Sequence, residues 1–167
     1  EQDLFNDLIS PLLDKSNQRQ SNFLSFSQMS ELSTQAVAEL NNINTPEGLQ
    51  VLRENQPDLI ISIRFGVILK DEAISIPPLG VLNLHSGLLP NYRGVMATFW
   101  AILNNEKTIG CTLHTINEAS IDTGDIIGTT SLAVDKNLSY LSHVLQLYIA
   151  GCDLIADTVS NISTGKE

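Results

Sequence analysis

Gly80-Val81-Leu82-Asn83-Leu84-His85-Ser86-Gly87-Leu88-Leu89-Pro90-Asn91-Tyr92-Arg93-Gly94 is the stretch that decides the fold. Val81, Leu82 and Leu84 form an apolar, strand-like run, which Asn83 and His85 interrupt two residues apart. On a strand that spacing puts both polar side chains on one face. Gly87, Pro90, Asn91 and Gly94 then punctuate a loop, so Asn83 and His85 stand at or near the C-terminal end of the strand. Ligands of open α/β sheets bind in the crevice beyond those ends.

Working outward, Ser120-Ile121-Asp122-Thr123-Gly124-Asp125-Ile126-Ile127 places a carboxylate, Asp122, on a turn between two apolar runs. An amide, an imidazole and a carboxylate over a sheet edge can polarise a carbonyl, move a proton and set the charge of the imidazole. That is an inventory for acyl transfer. Each group also has an ordinary reading: Asn83 as a turn residue, His85 as a satisfied core histidine, Asp122 as a turn former held by local hydrogen bonds. Spacing alone leaves both readings open.

The motifs nevertheless run in one order: Asn83-Leu84-His85, Leu88-Leu89-Pro90, Tyr92-Arg93-Gly94, Trp100-Ala101, Gly110-Cys111-Thr112-Leu113-His114 and Asp122-Thr123-Gly124. This series resembles the folate-dependent formyltransferase family, which includes methionyl-tRNA formyltransferase, the amino-sugar N-formyltransferases, glycinamide ribonucleotide transformylase and formyltetrahydrofolate deformylase. Several motifs in one order are far more specific than any single short pattern.

The resemblance implies an α/β fold, a Rossmann-like open sheet, mostly parallel, with helices on both faces. It implies 10-formyltetrahydrofolate as the formyl donor, a primary amine as the acceptor, and no metal. Asn83 and His85 would donate hydrogen bonds to the oxygen on which negative charge develops. Asp122 would pair with His85 and help carry a proton from the attacking amine to the departing folate nitrogen. By position, Val67, Ile68 and Leu69 would line the pteridine pocket, with Ile121 in the turn that lies against the ring in relatives. Arg93 either anchors its loop or meets an anionic part of the substrate. Two departures bear on donor binding. The family usually has Ser two residues after the histidine, where this chain has His85-Ser86-Gly87, and the segment Asn117–Ile121 is one residue longer than the usual turn.

The wording around Tyr92-Arg93-Gly94 and Trp100-Ala101 is closer to the methionyl-tRNA and amino-sugar enzymes than to the purine enzyme, and with no basic patch for tRNA the expected acceptor is a small amine, such as a nucleotide-linked amino sugar. Methionyl-tRNA is the runner-up, should a basic C-terminal domain lie outside this chain; glycinamide ribonucleotide and deformylation stand behind it. From another class, a non-catalytic folate-fold binding module stays open.

The composition bounds these readings. A chain of 167 residues suits one domain with a substantial core, and 43% hydrophobic with 17% charged residues is ordinary for a globular protein. The net charge of −10 offers no general basic surface for phosphates, so a nucleic-acid partner is not expected of this fragment. A small-molecule amine is the expected partner, and a homodimer is a possible assembly. Cys111 and Cys152 lack a Cys-x-x-Cys pattern and read as reduced thiols of a cytoplasmic protein. No run of about eighteen apolar residues and no signal-peptide pattern occur, so no membrane span is expected. His85, His114 and His143 have no metal-ligand spacing. His114 reads as structural, His143 as lying on a polar face without a role, and Trp100 as a packing residue.

Toward the N-terminus, residues 4–13 have helical spacing with a boundary at Pro11, and 14–24 read as a polar loop. The family's opening strand and glycine turn are not visible, so residues 1–167 are expected to be a formyltransferase catalytic domain truncated at the N-terminus, with truncation at the C-terminus left open. A short helix is predicted at 25–34, a strand at 36–40, and a helix from Pro46 to about Asn55 capped by Thr45. Further strands are predicted at 58–63, 110–116 and 125–134, and helices at 71–75, 97–105 and 137–162, the last capped by Asp135 or Asn137.

Overall fold

The structure, a computed structural model, describes residues 26–34 and 37–165. The helix and loop expected at 4–13 and 14–24 lie outside the described residues. Two compact units are distinguished, Glu1–Glu39 and Leu40–Glu167. In the first, helix α1 spans Phe26–Leu32. The strand expected next is not formed over Val37–Leu40; the Val37 amide instead donates to the Ser30 hydroxyl at 2.9 Å.

The second unit runs α2 (Pro46–Asn55), β1 (Ile60–Ile63), α3 (Asp71–Ile74), β2 (Val81–His85), α4 (Ala97–Leu103), β3 (Thr108–Ile109), β4 (Thr112–Thr115), β5 (Ile126–Thr129), β6 (Leu132–Ala133) and α5 (Tyr140–Thr164). The Thr45 hydroxyl accepts from the Gly48 amide and Pro46 fills the first helical position, so α2 starts where the sequence predicts. The cap of α5 is Ser139, whose hydroxyl accepts from Ser142, rather than Asp135 or Asn137. Asp135 accepts instead from the Asn137 amide at 2.9 Å, a turn that precedes the helix.

Four strands form one sheet in the order β1-β2-β4-β5, and β3 and β6 form a separate pair. Helices cover both faces of an α/β sheet, as expected. Val81 packs with Ile43, Leu49, Leu69 and Ala73 on the side of α2 and α3. Leu82 and Leu84 pack with Ala101 of α4 and Leu147 of α5 on the other. The expectation of a mostly parallel sheet needs correcting for the described residues: β1 and β2 are parallel, while β2–β4 and β4–β5 are antiparallel. An apolar run does not encode a strand's direction; the connection before it does, and here α4 and β3 bring the chain back alongside β2 in the opposite sense.

Close approach explains why small residues face inward. Ala97, Thr98 and Ala101 are the buried positions of α4, whereas Trp100 is 50% exposed, its ring edge-on to Phe99 at 5.4 Å. Trp100, expected as a packing residue, packs against Phe99 at the surface rather than in the core. In α5, Gly151 lies where an added Cβ would come 2.7 Å from Leu84. His143 is also reversed from expectation: it is 1% exposed, its Nδ1–H donating to the Ser139 carbonyl at 2.8 Å and its Nε2 accepting from the Asp135 amide at 3.1 Å.

The two thiols differ in environment. Cys111 is fully buried, and burial pushes its thiol up to about 11, whereas Cys152 is exposed on α5. A thiol so raised holds almost no thiolate at neutral pH. Iodoacetamide on the native protein should therefore label Cys152 and spare Cys111 until denaturant is added. Peptide mass spectrometry showing both labelled at equal rates would contradict this packing.

Candidate active site

β2 ends in the expected pair. Asn83 and His85 project from the Val81 face, and the antiparallel register sets Asn83 directly opposite His114 of β4. Both histidines converge on Asp122, and Asn83 joins the cluster through His114. His85 Nδ1 lies 3.4 Å from Asp122 Oδ2, and His114 Nε2 lies 3.4 Å from Asp122 Oδ1. The two rings stand edge to face, 6.5 Å apart.

Hydrogen-bond chemistry fixes the protons of this cluster. The Thr115 carbonyl can only accept, so His114 Nδ1, 2.8 Å away, carries a proton. With His114 neutral, Nε2 is then an acceptor, and the Asn83 Nδ2–H group donates to it at 3.0 Å. Asn83 is thereby oriented with its second N–H free of this contact. The Tyr92 carbonyl likewise makes His85 Nε2 a donor, at 2.6 Å. Both nitrogens of His85 thus face acceptors, Tyr92 O at 2.6 Å and Asp122 Oδ2 at 3.4 Å.

Asp122 sits at φ 51°, a left-handed conformation that Asp tolerates better than most residues. Its carboxylate, 10% exposed, also accepts the Gly94 amide at 2.7 Å. Burial pushes its pKa up, but the His114 and His85 rings beside it and the Gly94 amide outweigh burial and hold it below the usual carboxylate value. The group stays ionised in the site.

Only glycine fits at position 87, where a Cβ would fall 2.7 Å from His85 Nε2 and 2.6 Å from both the Tyr92 carbonyl and Ala97. The Thr112 hydroxyl donates to the Gly87 carbonyl at 2.7 Å and accepts from the Leu89 amide at 3.1 Å, while Thr98 donates to the Ser86 carbonyl at 2.6 Å. Buried Thr112 and Thr98 therefore hold the Ser86–Leu89 turn. The altered His85-Ser86-Gly87 order is built into this packing.

The expected pocket residues divide. Val67 and Ile68, 39% and 53% exposed, follow the C-terminal end of β1, and Ile121, 54% exposed, adjoins Asp122. Leu69 is 4% exposed and its side chain belongs to the core. Asn44 brackets the segment, donating to the Ile68 carbonyl at 2.8 Å and accepting from the Lys70 amide at 2.9 Å. Arg93 is exposed, between Tyr92 and Gly94, which both touch the cluster. His114, which sequence reasoning read as structural, is brought fully into the site. Thr112 and His114 alternating on one face was the available signal, but the register opposite Asn83 was not legible.

Comparison with known proteins follows the same lines. A family model described as formyl transferase matches residues 13–144. The methionyl-tRNA formyltransferase of Caldanaerobacter subterraneus is 33% identical over 147 residues, 86% of this chain and 47% of that protein. The N-formyltransferase of Helicobacter canadensis, solved in complex with folinic acid and dTDP-3-aminofucose, is 29% identical with a TM-score of 0.58, over 67% of this chain and 42% of that one. Phosphoribosylglycinamide formyltransferase of Streptococcus pneumoniae shares the fold at 16% identity, with a TM-score of 0.70 over 94% of this chain and 93% of that one. The chain spans 39% to 47% of the length of the first curated relatives it matches. Among the described residues, no helix is long and apolar enough to cross a membrane.

Proposed function

This chain belongs to the formyl transferase family, and we propose that it moves a formyl group from 10-formyltetrahydrofolate to the primary amine of a small substrate, with a nucleotide-linked amino sugar as the favoured acceptor. The observation that carries the reading is the convergence of His85 and His114 on Asp122, with Asn83 bonded to His114, at the C-terminal end of β2. Exposed apolar Val67, Ile68 and Ile121 beside that end fit a flat, partly apolar ring system.

The donor supplies an activated formyl carbon. The Asn83 N–H that is not spent on His114 donates to the formyl oxygen as negative charge gathers there. His85 adds its Nε2–H donor, for which the formyl oxygen competes with the Tyr92 carbonyl. The acceptor nitrogen bonds to the formyl carbon as the bond to the folate nitrogen breaks. The proton shed by the acceptor passes by way of the His85–Asp122 pair to the departing nitrogen. His114 acts through Asn83 and Asp122 and is a positioning residue. Arg93 stands at the rim as a candidate substrate contact.

The acceptor reading draws on the Helicobacter canadensis enzyme, whose complex holds an amino sugar linked to a nucleotide. Methionyl-tRNA is the second reading, favoured by the names of the curated relatives and opposed by the net charge of −10 on this chain. Calorimetric titration with 5-formyltetrahydrofolate, a stable donor analogue, tests the common part. Binding near micromolar, about 8 kcal/mol, is expected. No heat at roughly millimolar ligand, weaker than about 4 kcal/mol, would overturn the folate reading.

A further inference from the structure

A second set of polar groups stands at the same sheet edge, on the α5 side. The parallel register pairs Ile63 with Leu84, so Arg64 leaves β1 beside His85 at the end of β2. Arg64 takes φ 52°, turning the chain out of the strand at that point. Its guanidinium carbon lies 5.7 Å over the ring of Tyr148 of α5. Burial raises the Tyr148 phenol, and Ser86 and the Arg64 charge oppose the rise. Among the described residues no carboxylate pairs with Arg64. In a chain of net charge −10, an exposed arginine left without an acid, stacked on a ring and set at the carboxyl ends of two parallel strands, is placed to receive an anion.

We propose that Arg64, held over the Tyr148 ring, is the specificity-determining residue for an amine acceptor that carries a phosphate or diphosphate. The inference rests on the formyl-transfer reading and deepens it. Asn83, His85 and Asp122 occupy one side of the β2 terminus, and Arg64 stacks on Tyr148 on the other. An acceptor anchored by its anionic group at Arg64 would be held at the strand ends where the amine is needed. The planar guanidinium suits two phosphate oxygens at once, and the Tyr148 ring limits its freedom before the ligand arrives.

Calorimetry with inorganic pyrophosphate and with uridine diphosphate tests this on the wild-type protein, Arg64→Leu and Arg53→Leu. The last removes a charge from an exposed position on α2, away from the strand ends. The expected result is anion binding that weakens with added salt, is lost by about tenfold or more in Arg64→Leu, and is unchanged in Arg53→Leu. Binding of 5-formyltetrahydrofolate should stay within about twofold in all three, which also reports an intact fold. Equal anion affinity in the two variants, or no anion binding by the wild type, would overturn the proposal. Loss of anion binding in Arg64→Leu, in a protein that never binds 5-formyltetrahydrofolate, would uphold the anion site and remove the formyl-transfer reading. Uridine diphosphate binding more tightly than pyrophosphate would extend the site to a nucleotide-linked acceptor.

Discussion

Asp122→Asn is expected to lower kcat for formyl transfer by about 10²- to 10⁴-fold, the range for losing a proton-transfer group. Asparagine keeps the size of the side chain, tolerates φ 51°, and can still accept the Gly94 amide. It removes the charge that faces both imidazoles at 3.4 Å. Asn83→Ala should cost about 10²- to 10³-fold, as for other donors to a developing oxyanion. Single-turnover rates on folded variants, with 5-formyltetrahydrofolate affinity measured alongside, separate chemistry from binding. A rate within about threefold of wild type for Asp122→Asn would remove Asp122 from the mechanism. The same substitution bears on acid stability. A carboxyl held below its ordinary value of 3.8 contributes stability that is fully present above that pH and is lost as pH falls through the folded value. The asparagine variant lacks that contribution, so its stability should fall less steeply below the ordinary carboxyl value.

Gly124→Ala should destabilise the fold by about 2–4 kcal/mol, at the upper end for single overpacking changes. Its Cβ would come 1.7 Å from the Thr115 carbonyl oxygen, and backbone cannot yield as a flexible side chain can. That carbonyl accepts the His114 Nδ1 proton, and Thr115 also takes the Asp125 amide on its hydroxyl at 2.9 Å. Displacing Thr115 therefore disturbs both the turn and the proton arrangement of the site. Gly66→Ala is the matched control, since nothing lies within 4 Å of the added carbon and no left-handed φ is involved. Urea denaturation should show a change for Gly66→Ala within about 0.5 kcal/mol. A Gly124→Ala midpoint equal to that of the control, at unchanged m, would contradict the packing described.

Local chemistry was the part of this molecule most legible in its sequence. Thr45 and Pro46 start α2 by rules that operate within one helical turn, and the two-residue spacing of Asn83 and His85 needs only a strand. Direction and register depend on distant segments and were not legible. The antiparallel return of β4 put His114 opposite Asn83, turning a residue read as structural into a contact of both Asn83 and Asp122. A register shift between Leu113 and His114 leaves Ile126 and Ile127 of β5 both exposed, which no alternation rule anticipates. His143 and Trp100 exchanged their expected environments for a related reason. Helical spacing gives a stripe, but tight packing on a sheet selects the small residues Ala97 and Ala101 over large ones, and a buried imidazole is tolerated once both nitrogens are bonded.

Helix α5 runs 25 residues, about 37 Å, yet its buried positions, His143, Val144, Leu147 and Gly151, all fall in the first half. Beyond Gly151 the helix is held largely by its own ladder of amides, with Leu154 and Ile155 the last of its residues packed on the larger core. Amide protons near Leu147 can exchange with solvent only when the sheet itself opens. Those after Thr158 need only a transient fraying of the last turns. One continuous helix therefore carries two clocks, a slow one beside β2 and β4 and a fast one at its outer end.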